Sequence, residues 1–440
     1  MKYGPKAART GRLAAMALLA AMALLAGCAG PGSGGEGGAG PDKPFQGQTL
    51  VFAAANHPWA DVIKPLLPEF EAETGMNVIV QSYFEDQLTQ KLILQLTSGT
   101  GTPDVFMYRP LQEGRMFDRN GWLEHLDGYV KQDAAYDWSD FSPQAVRSAT
   151  VDGQLAGIPV VTEQGVLYYR KDLLRQAGIP VPKTLQELAE AARKLHDPAS
   201  GIYGFVSRGQ RSPLVTQVSS FLYSEGGDFT SGGKAAINTP EAIRAFKLYG
   251  GLLRDYGPPD VINMSWPQAI AFFAEGKAAF YTDATSIYHS VTDPGRSKVA
   301  DKVGFAPFPA GSGGSRTYSI TSWGMAMNPR TADKDAAWAF IRWATSKENV
   351  LAAQALGNTG ARKSVWSLPE GTAAFPPELA AVIRGYGDTG IDHDRPVAVH
   401  VAEAREAVGE IVQRVMTGYP DIKQKADEQN AVLQSILDRE

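Results

Sequence analysis

The sequence predicts an α/β fold, and three observations carry that expectation. Strand-like and helix-like segments alternate without a break from Gln48 to Tyr108. The chain has 440 residues and is 44% hydrophobic, enough for two ordinary domains with sizeable cores. Between them lies Val151 to Asp172, VDGQLAGIPVVTEQGVLYYRKD, where Ile158–Val161 and Val166–Tyr169 follow each other as strands with no helix between. Pro159 fixes one φ angle and withholds a donor, which suits an extended segment outside a sheet interior. On its own this stretch reads equally as a crossing between two lobes or as an edge strand and hairpin inside one domain.

The alternation is specific. Gln48 to Ala55 reads as a buried strand running into Asn56-His57-Pro58-Trp59. A helix is expected next, with Trp59, Ile63, Leu66, Leu67 and Phe70 at helical spacing, its start blurred by Pro65 and Pro68 and its end set by Gly75. Met76 to Tyr83 alternates like a strand, a helix carries Leu88, Leu92 and Leu96, and Pro103 to Tyr108 follows as a third strand with Asp104 at its entry. Strand and helix at this pitch argue a parallel sheet with crossover helices, whose ligands gather at the carboxyl ends of the strands. Those ends are Asn56 to Trp59, Tyr83 to Asp86, and Tyr108 to Arg109.

Further on, Thr184-Leu185-Gln186-Glu187 and Ser265-Trp266-Pro267-Gln268 are capping boxes, and Thr239-Pro240 opens another helix. A helix is expected from Pro213 to Tyr223, and Lys277 to Tyr281 reads as a strand delivering Asp283 to its end. Phe305 to Pro309 and Tyr318 to Met327 look like a second crossing, and the loop Gly357 to Arg362 like a third. The chain closes in two amphipathic helices, marked by Val401, Ala404, Val408, Ile411 and Val415 and by Ile422, Ala426, Leu433 and Leu437.

The first residues read as an export signal: Lys2, Lys6, Arg9 and Arg12, then an apolar run from Leu13 to Ala26, shorter than the roughly 20 residues of a spanning helix. Leu25-Ala26-Gly27-Cys28 resembles the bacterial lipobox, which implies cleavage after residue 27 and lipidation of Cys28. Cys28 is the sole cysteine, so an internal disulfide and a cysteine-rich metal site are both excluded, and no cofactor is expected. Residues 28–44 form a glycine-rich tether in which Gly35-Glu36-Gly37-Gly38-Ala39-Gly40 matches a dinucleotide fingerprint only formally, since no strand precedes it and no helix follows. A net charge of −5 argues against nucleic acid as a partner.

Taken in order, the lipobox cysteine, SGTGTPDVFMY, GQLAGIPV, VLYYRKDLL, PKTLQELAEAARKL, AFFAEGKAAF, GNTGARKSV and a closing helical hairpin resemble the family 1 extracellular solute-binding proteins, carbohydrate-binding lipoproteins of ATP-binding-cassette importers. The resemblance covers nearly everything after Phe45. It implies a type II periplasmic-binding-protein-like fold: two α/β lobes, each a mixed sheet flanked by helices, joined by two or three hinge crossings, with ligand held in the cleft. The expected N-lobe is then 45–160 with 314–350, and the C-lobe 161–313 with 351–440. The implied partners are a small carbohydrate and the permease of an importer. The protein would be a monomer outside the cytoplasm, touching the membrane through its lipid alone.

A sugar presents hydroxyls and an apolar ring face, so its receptor needs carboxylates or amides beside flat aromatic surfaces. Residues of these types at strand ends and connections make the candidate site: Asn56, His57, Trp59, Tyr83, Glu85, Tyr108, Arg109, Glu163, Arg211, Trp266, Asp283, Ser322, Trp323 and Arg362. Several have a structural reading beside the functional one. Trp59 shares the face of Ile63 and Phe70, Trp266 suits a staple as well as a platform, and Asp104 is expected to brace its strand. Arginines 109, 208, 211 and 362 raise an alternative, because two of them converging would favour an anionic ligand such as a phosphorylated polyol or acidic sugar. Hydrolysis by paired carboxylates is a further class, but the chain carries no H-E-x-x-H and no G-x-S-x-G, and Asp392-His393-Asp394 reads as a solvated loop. A sensor co-receptor would share the binding event and differ only in partner.

Overall fold

The computed structural model describes residues 43–386 and 389–440, so the expected signal segment, Cys28 and most of the tether lie outside the described residues. Eight strands make the main sheet: β1 Thr49–Ala55, β2 Asn77–Tyr83, β3 Val105–Tyr108, β4 Ile158–Arg170, β5 Tyr203–Val206, β6 Ala278–Ala284, β7 Val303–Ala306 and β8 Ser319–Met327. Their order is β2-β1-β3-β8-β4-β6-β5, with β7 also paired to β4. β1 runs parallel to β2 and β3, as the strand and helix alternation requires, while β8 is antiparallel to both β3 and β4.

The stretch expected as two strands is one. β4 runs unbroken for 13 residues because β8 lies along its middle, pairing Thr321 with Thr162, Ile320 with Glu163 and Ser319 with Gln164. Beyond that point β4 changes partners and pairs with β6 and β7. Gly165 sits at the change, where a β-carbon would run into Thr317 Oγ1 and Ser220 Oγ. A single strand thus belongs to two halves of the sheet, which settles the reading of this stretch as a crossing.

The core is correspondingly double. One cluster packs Leu50, Phe52, Phe106, Trp323 and Phe340, and the other packs Tyr168, Phe221, Tyr249, Phe280 and Leu433. Along the chain, packing passes from one cluster to the other between Val161 and Val166, between Ile320 and Trp323, and between Ala361 and Trp366. Tyr318 and Ile320 pack in the cluster of Tyr168, and Ala353 and Ala361 in the cluster of Phe340.

Local signals set the helices. Thr184 with Glu187 and Ser265 with Gln268 form both capping boxes, and Thr239 caps Pro240–Tyr256. The single helix expected after Trp59 is broken by its prolines into Pro58–Ile63, a 3₁₀ turn at Lys64–Leu66, and Leu67–Thr74, ending at Gly75 with φ 76°. The helices Val401–Met416 and Ile422–Leu437 pack against each other and close the chain.

Candidate functional site

A cavity of about 650 Å³ lies between the lobes, within the usual range for small-molecule sites of about 300–1,000 Å³. The N-lobe contributes Asn56, His57, Glu85, Asp86, Arg109 and Gln112, the crossings contribute Glu163, Ser322, Trp323 and Asn358, and the C-lobe contributes Arg208, Thr216, Trp266, Ser286, Arg395 and Arg405.

On the N-lobe side, β1 ends at Asn56, and His57 caps the next helix by accepting the Trp59 N–H on Nδ1 at 3.1 Å. Burial lowers the His57 pKa to about 4, against the opposing pull of Asp61, so its ring is neutral. The ring lies 6.0 Å from that of Trp323. β3 runs into Arg109, whose Nε at 2.9 Å and Nη2 at 2.6 Å both donate to Oε1 of buried Glu113 and whose Nη1 donates to Glu85 at 3.2 Å. Its guanidinium stands 5.8 Å from the Trp323 ring centre. Trp323 reaches the cavity because the pairing of β8 with β4 slips at a bulge between Thr321 and Gly324. Only 5% of it is exposed, so the same ring serves the N-lobe core and the cavity wall.

At the hinge, Glu163 accepts a hydrogen bond from Ser286 Oγ at 2.7 Å, and burial raises its pKa. Ser322 donates Oγ to the Val161 carbonyl at 3.3 Å. The loop after Leu356 runs alongside as the third crossing, with Thr162 N donating to the Thr359 carbonyl at 2.8 Å.

The C-lobe wall is arginine-rich. Arg208 donates Nε at 2.9 Å and also Nη2 to Asp283, a fully buried carboxylate that also accepts from Gln217 at 3.1 Å, Tyr281 at 2.6 Å and the Ala284 N–H at 2.8 Å. Arg395 forks onto Asp394 at 2.6 and 2.7 Å and extends Nη1 to Gln112 of the N-lobe at 2.7 Å. Arg405 donates Nε at 3.0 Å and Nη2 at 2.7 Å to the Ser212 carbonyl, with Thr216 Oγ1 at 3.3 Å.

Of the residues singled out in the sequence, Asn56, His57, Glu85, Arg109, Glu163, Trp266, Ser322 and Trp323 line this cavity. Six do not. Trp59 is core, 2% exposed and edge-on to Phe52 at 6.5 Å, because the helix turns its face inward. Tyr83 packs on the N-lobe core and donates to Gln81 at 3.2 Å. Tyr108 is sealed under Gly157 and Gly324, whose missing β-carbons leave room for its ring. Asp283 serves Arg208 behind the wall. Arg211 points outward to Glu410 at 2.9 Å and Gln413 at 3.0 Å. Arg362 is buried among Tyr136 and Phe141, 4.9 and 4.3 Å from their ring centres, and donates to the carbonyls of Tyr136, Asp137 and Thr345.

Asp392-His393-Asp394 is also corrected, since it is no solvated loop. His393 hydrogen-bonds Asp392 and Asp228 at 3.0 Å each and stacks edge-on to Tyr223, while Asp394 is fully buried on Arg395. Every polar side chain of the cluster is thus committed to a partner within the fold. Arg395 and Arg405 were missed, although Arg405 shares the stripe of Val401, Val408 and Val412, where a lone charge among buried apolar residues is itself a signal.

A paired sheet crossing between two packed cores, with a polar cavity at the crossing, defines a binding protein of the type II periplasmic class. The chain belongs to the bacterial extracellular solute-binding protein family, which matches residues 54–351. That family is made of extracellular binding proteins, which puts the folded chain outside the cytoplasm. It is 32% identical over 298 residues to a mannitol-binding protein of Pseudomonas aeruginosa, covering 66% of this chain and 65% of that one. It is 29% identical over 329 residues to an erythritol/L-threitol-binding protein of Mycolicibacterium smegmatis, covering 69% and 68%. The matched stretch is therefore about two thirds of the length of these curated relatives. Among solved structures, the chain is similar to a transporter solute-binding protein of Agrobacterium radiobacter K84 in complex with ribitol, with TM-score 0.78 and 31% identity over 89% of this chain and 100% of that one.

Proposed function

We propose that this protein captures a sugar or polyol in the cleft and hands it unchanged to an ATP-binding-cassette import permease. The observation that supports this reading best is the cavity itself: polar groups from both lobes and from the crossings converge on one space of ligand size. Donors come from arginines and acceptors from Asn56, Glu85 and Glu163, the mixture that a chain of hydroxyls needs. The relatives named for mannitol and for erythritol or threitol, and the neighbour solved with ribitol, favour a short polyol over a long glycan.

Ligand contacts from both lobes favour the closed arrangement over the open one, and closure presents the surface that the permease reads. The moving halves are 45–160 with 314–350, and 161–313 with 351–440, with the later two breaks shifted to where the packing changes. Lipid on Cys28 holds the monomer at the membrane, since two acyl chains anchor stably where one does not.

Thermal shift and calorimetry against alditols, monosaccharides, disaccharides and oligosaccharides test the reading. A polyol or sugar is expected to raise the melting temperature in proportion to ln(1 + [L]/Kd) and to be recovered intact by mass spectrometry. Recovery of a cleaved product, or no shift across the panel, overturns it. Radiolabelled palmitate is expected to mark the wild-type chain and not Cys28→Ser.

A further inference from the structure

We propose that the C-lobe wall of the cleft contains an anion subsite, formed by the Nη1 corners of Arg208 and Arg405, that takes the carboxylate of a sugar acid. This deepens the reading above and rests on it. Arg208 spends Nε and Nη2 on Asp283, and Arg405 spends Nε and Nη2 on the Ser212 carbonyl and Thr216. Neither Nη1 makes a hydrogen bond among the described residues, neither is a buried donor without a partner, and both residues line the cavity. Each of these two residues of the cavity wall thus keeps one guanidinium corner free for a ligand.

Their charge balance differs. Arg208 has its own carboxylate, whereas Arg405, only 7% exposed, has no ion pair among the described residues. The opposite charge that acts on it is Asp394, already forked onto Arg395. Arg405 is thus the cavity-lining guanidinium left without a carboxylate of its own among the described residues, and a guanidinium cannot shed its proton to escape. Burial and the neighbouring Arg395 and Arg208 push the Arg405 pKa well down. Glu163, whose charge reaches Arg208, is bound by Ser286 and forms no ion pair with either arginine among the described residues.

A single guanidinium without its own carboxylate fits a carboxylate better than a phosphate dianion. The remaining wall, with Asn56, Glu85 and Glu163, offers acceptors for hydroxyls. A linear chain of hydroxyls with one oxidised end meets both requirements.

Calorimetry with D-ribonate against ribitol, and D-mannonate against mannitol, at low and at high salt, tests the subsite. The acid is expected to bind at least about 10-fold tighter than its alditol, in keeping with a charge-assisted fork. Arg405→Gln is expected to lower affinity for the acid at least about 10-fold more than affinity for the alditol, and Arg405→Lys to retain part of the preference. Melting curves of both variants separate lost recognition from lost folding, since Arg405 also holds the Ser212 carbonyl. Alditols binding as tightly as the acids overturn the subsite and leave the polyol reading standing. Ribitol 5-phosphate binding tighter than ribonate overturns the single-charge assignment. Binding of none of these probes, with sugars also failing, overturns the subsite together with the function.

Discussion

Arg395, held by Asp394 in the C-lobe, donates Nη1 to Gln112 of the N-lobe at 2.7 Å, so one guanidinium both lines the cavity and ties its two sides together. Arg147 Nε of the N-lobe also meets Asp392 of the C-lobe at 2.9 Å. Both contacts join the N-lobe to the C-lobe. A hydrogen bond of this kind contributes about 0.5–1.5 kcal/mol, and the exposed Arg147 pair less than about 1 kcal/mol. Gln112→Ala is therefore expected to weaken ligand binding by about 2- to 10-fold and to enlarge the ligand-free protein in small-angle scattering. Unchanged affinity and size would show that the contact does not distinguish open from closed.

Trp323 belongs to the cavity wall and to the N-lobe core at once. From the sequence alone, Trp323→Ala would be expected to harm binding far more than folding. With 5% of the ring exposed, truncation is instead expected to cost about 3–5 kcal/mol of stability as well as affinity. Trp323→Phe keeps most of the packing, so it is the variant in which affinity should fall with a small change in melting temperature. Urea denaturation and calorimetry on both variants check this.

Asp283 acts through Arg208. Asp283→Asn strands a buried guanidinium, and breaking such a pair costs about 3–5 kcal/mol. The paired change Asp283→Asn with Arg208→Met is expected to regain part of that stability without regaining ligand binding. Lost affinity at a normal melting temperature in Asp283→Asn would instead make the carboxylate a direct ligand contact.

His393 links stability to pH. Burial alone would lower its pKa, but hydrogen bonds to Asp228 and Asp392 prevail and raise it to about 9, from 6.5 in the unfolded chain. The folded state therefore binds a proton that the unfolded state has lost between these values. Its stabilising contribution is complete below pH 6.5 and disappears as the pH rises through about 9. His393→Gln is expected to be most destabilising near pH 6 and to converge on the wild type above pH 9, read as melting temperature against pH. A constant difference would remove His393 from the linkage.

Local patterns made much of this architecture legible in the sequence. Capping residues such as Thr184 and Ser265, the parallel arrangement of β1 to β3, and the closing helical hairpin each depend on neighbours a few positions away. The site was legible at the strand ends, since Asn56, Glu85 and Arg109 stand where parallel strands deliver side chains to a cleft. Arg362 and Arg211 have the same composition signal as Arg208, and nothing local distinguishes a guanidinium among Tyr136 and Phe141 from one in a cavity.

By itself, then, the sequence determined the elements, the crossings and the kinds of groups available for a polar ligand, because hydrophobic period, caps and strand ends are short-range properties of the chain. Tertiary structure decided that β4 is continuous, that a bulge turns Trp323 to the cleft, and that Arg208, Arg395 and Arg405 line it, the first two paired with Asp283 and Asp394 and the third without an ion pair among the described residues. Those outcomes rest on which segments pack together across nearly 200 residues, and charge balance in a buried space exists only once the space has formed.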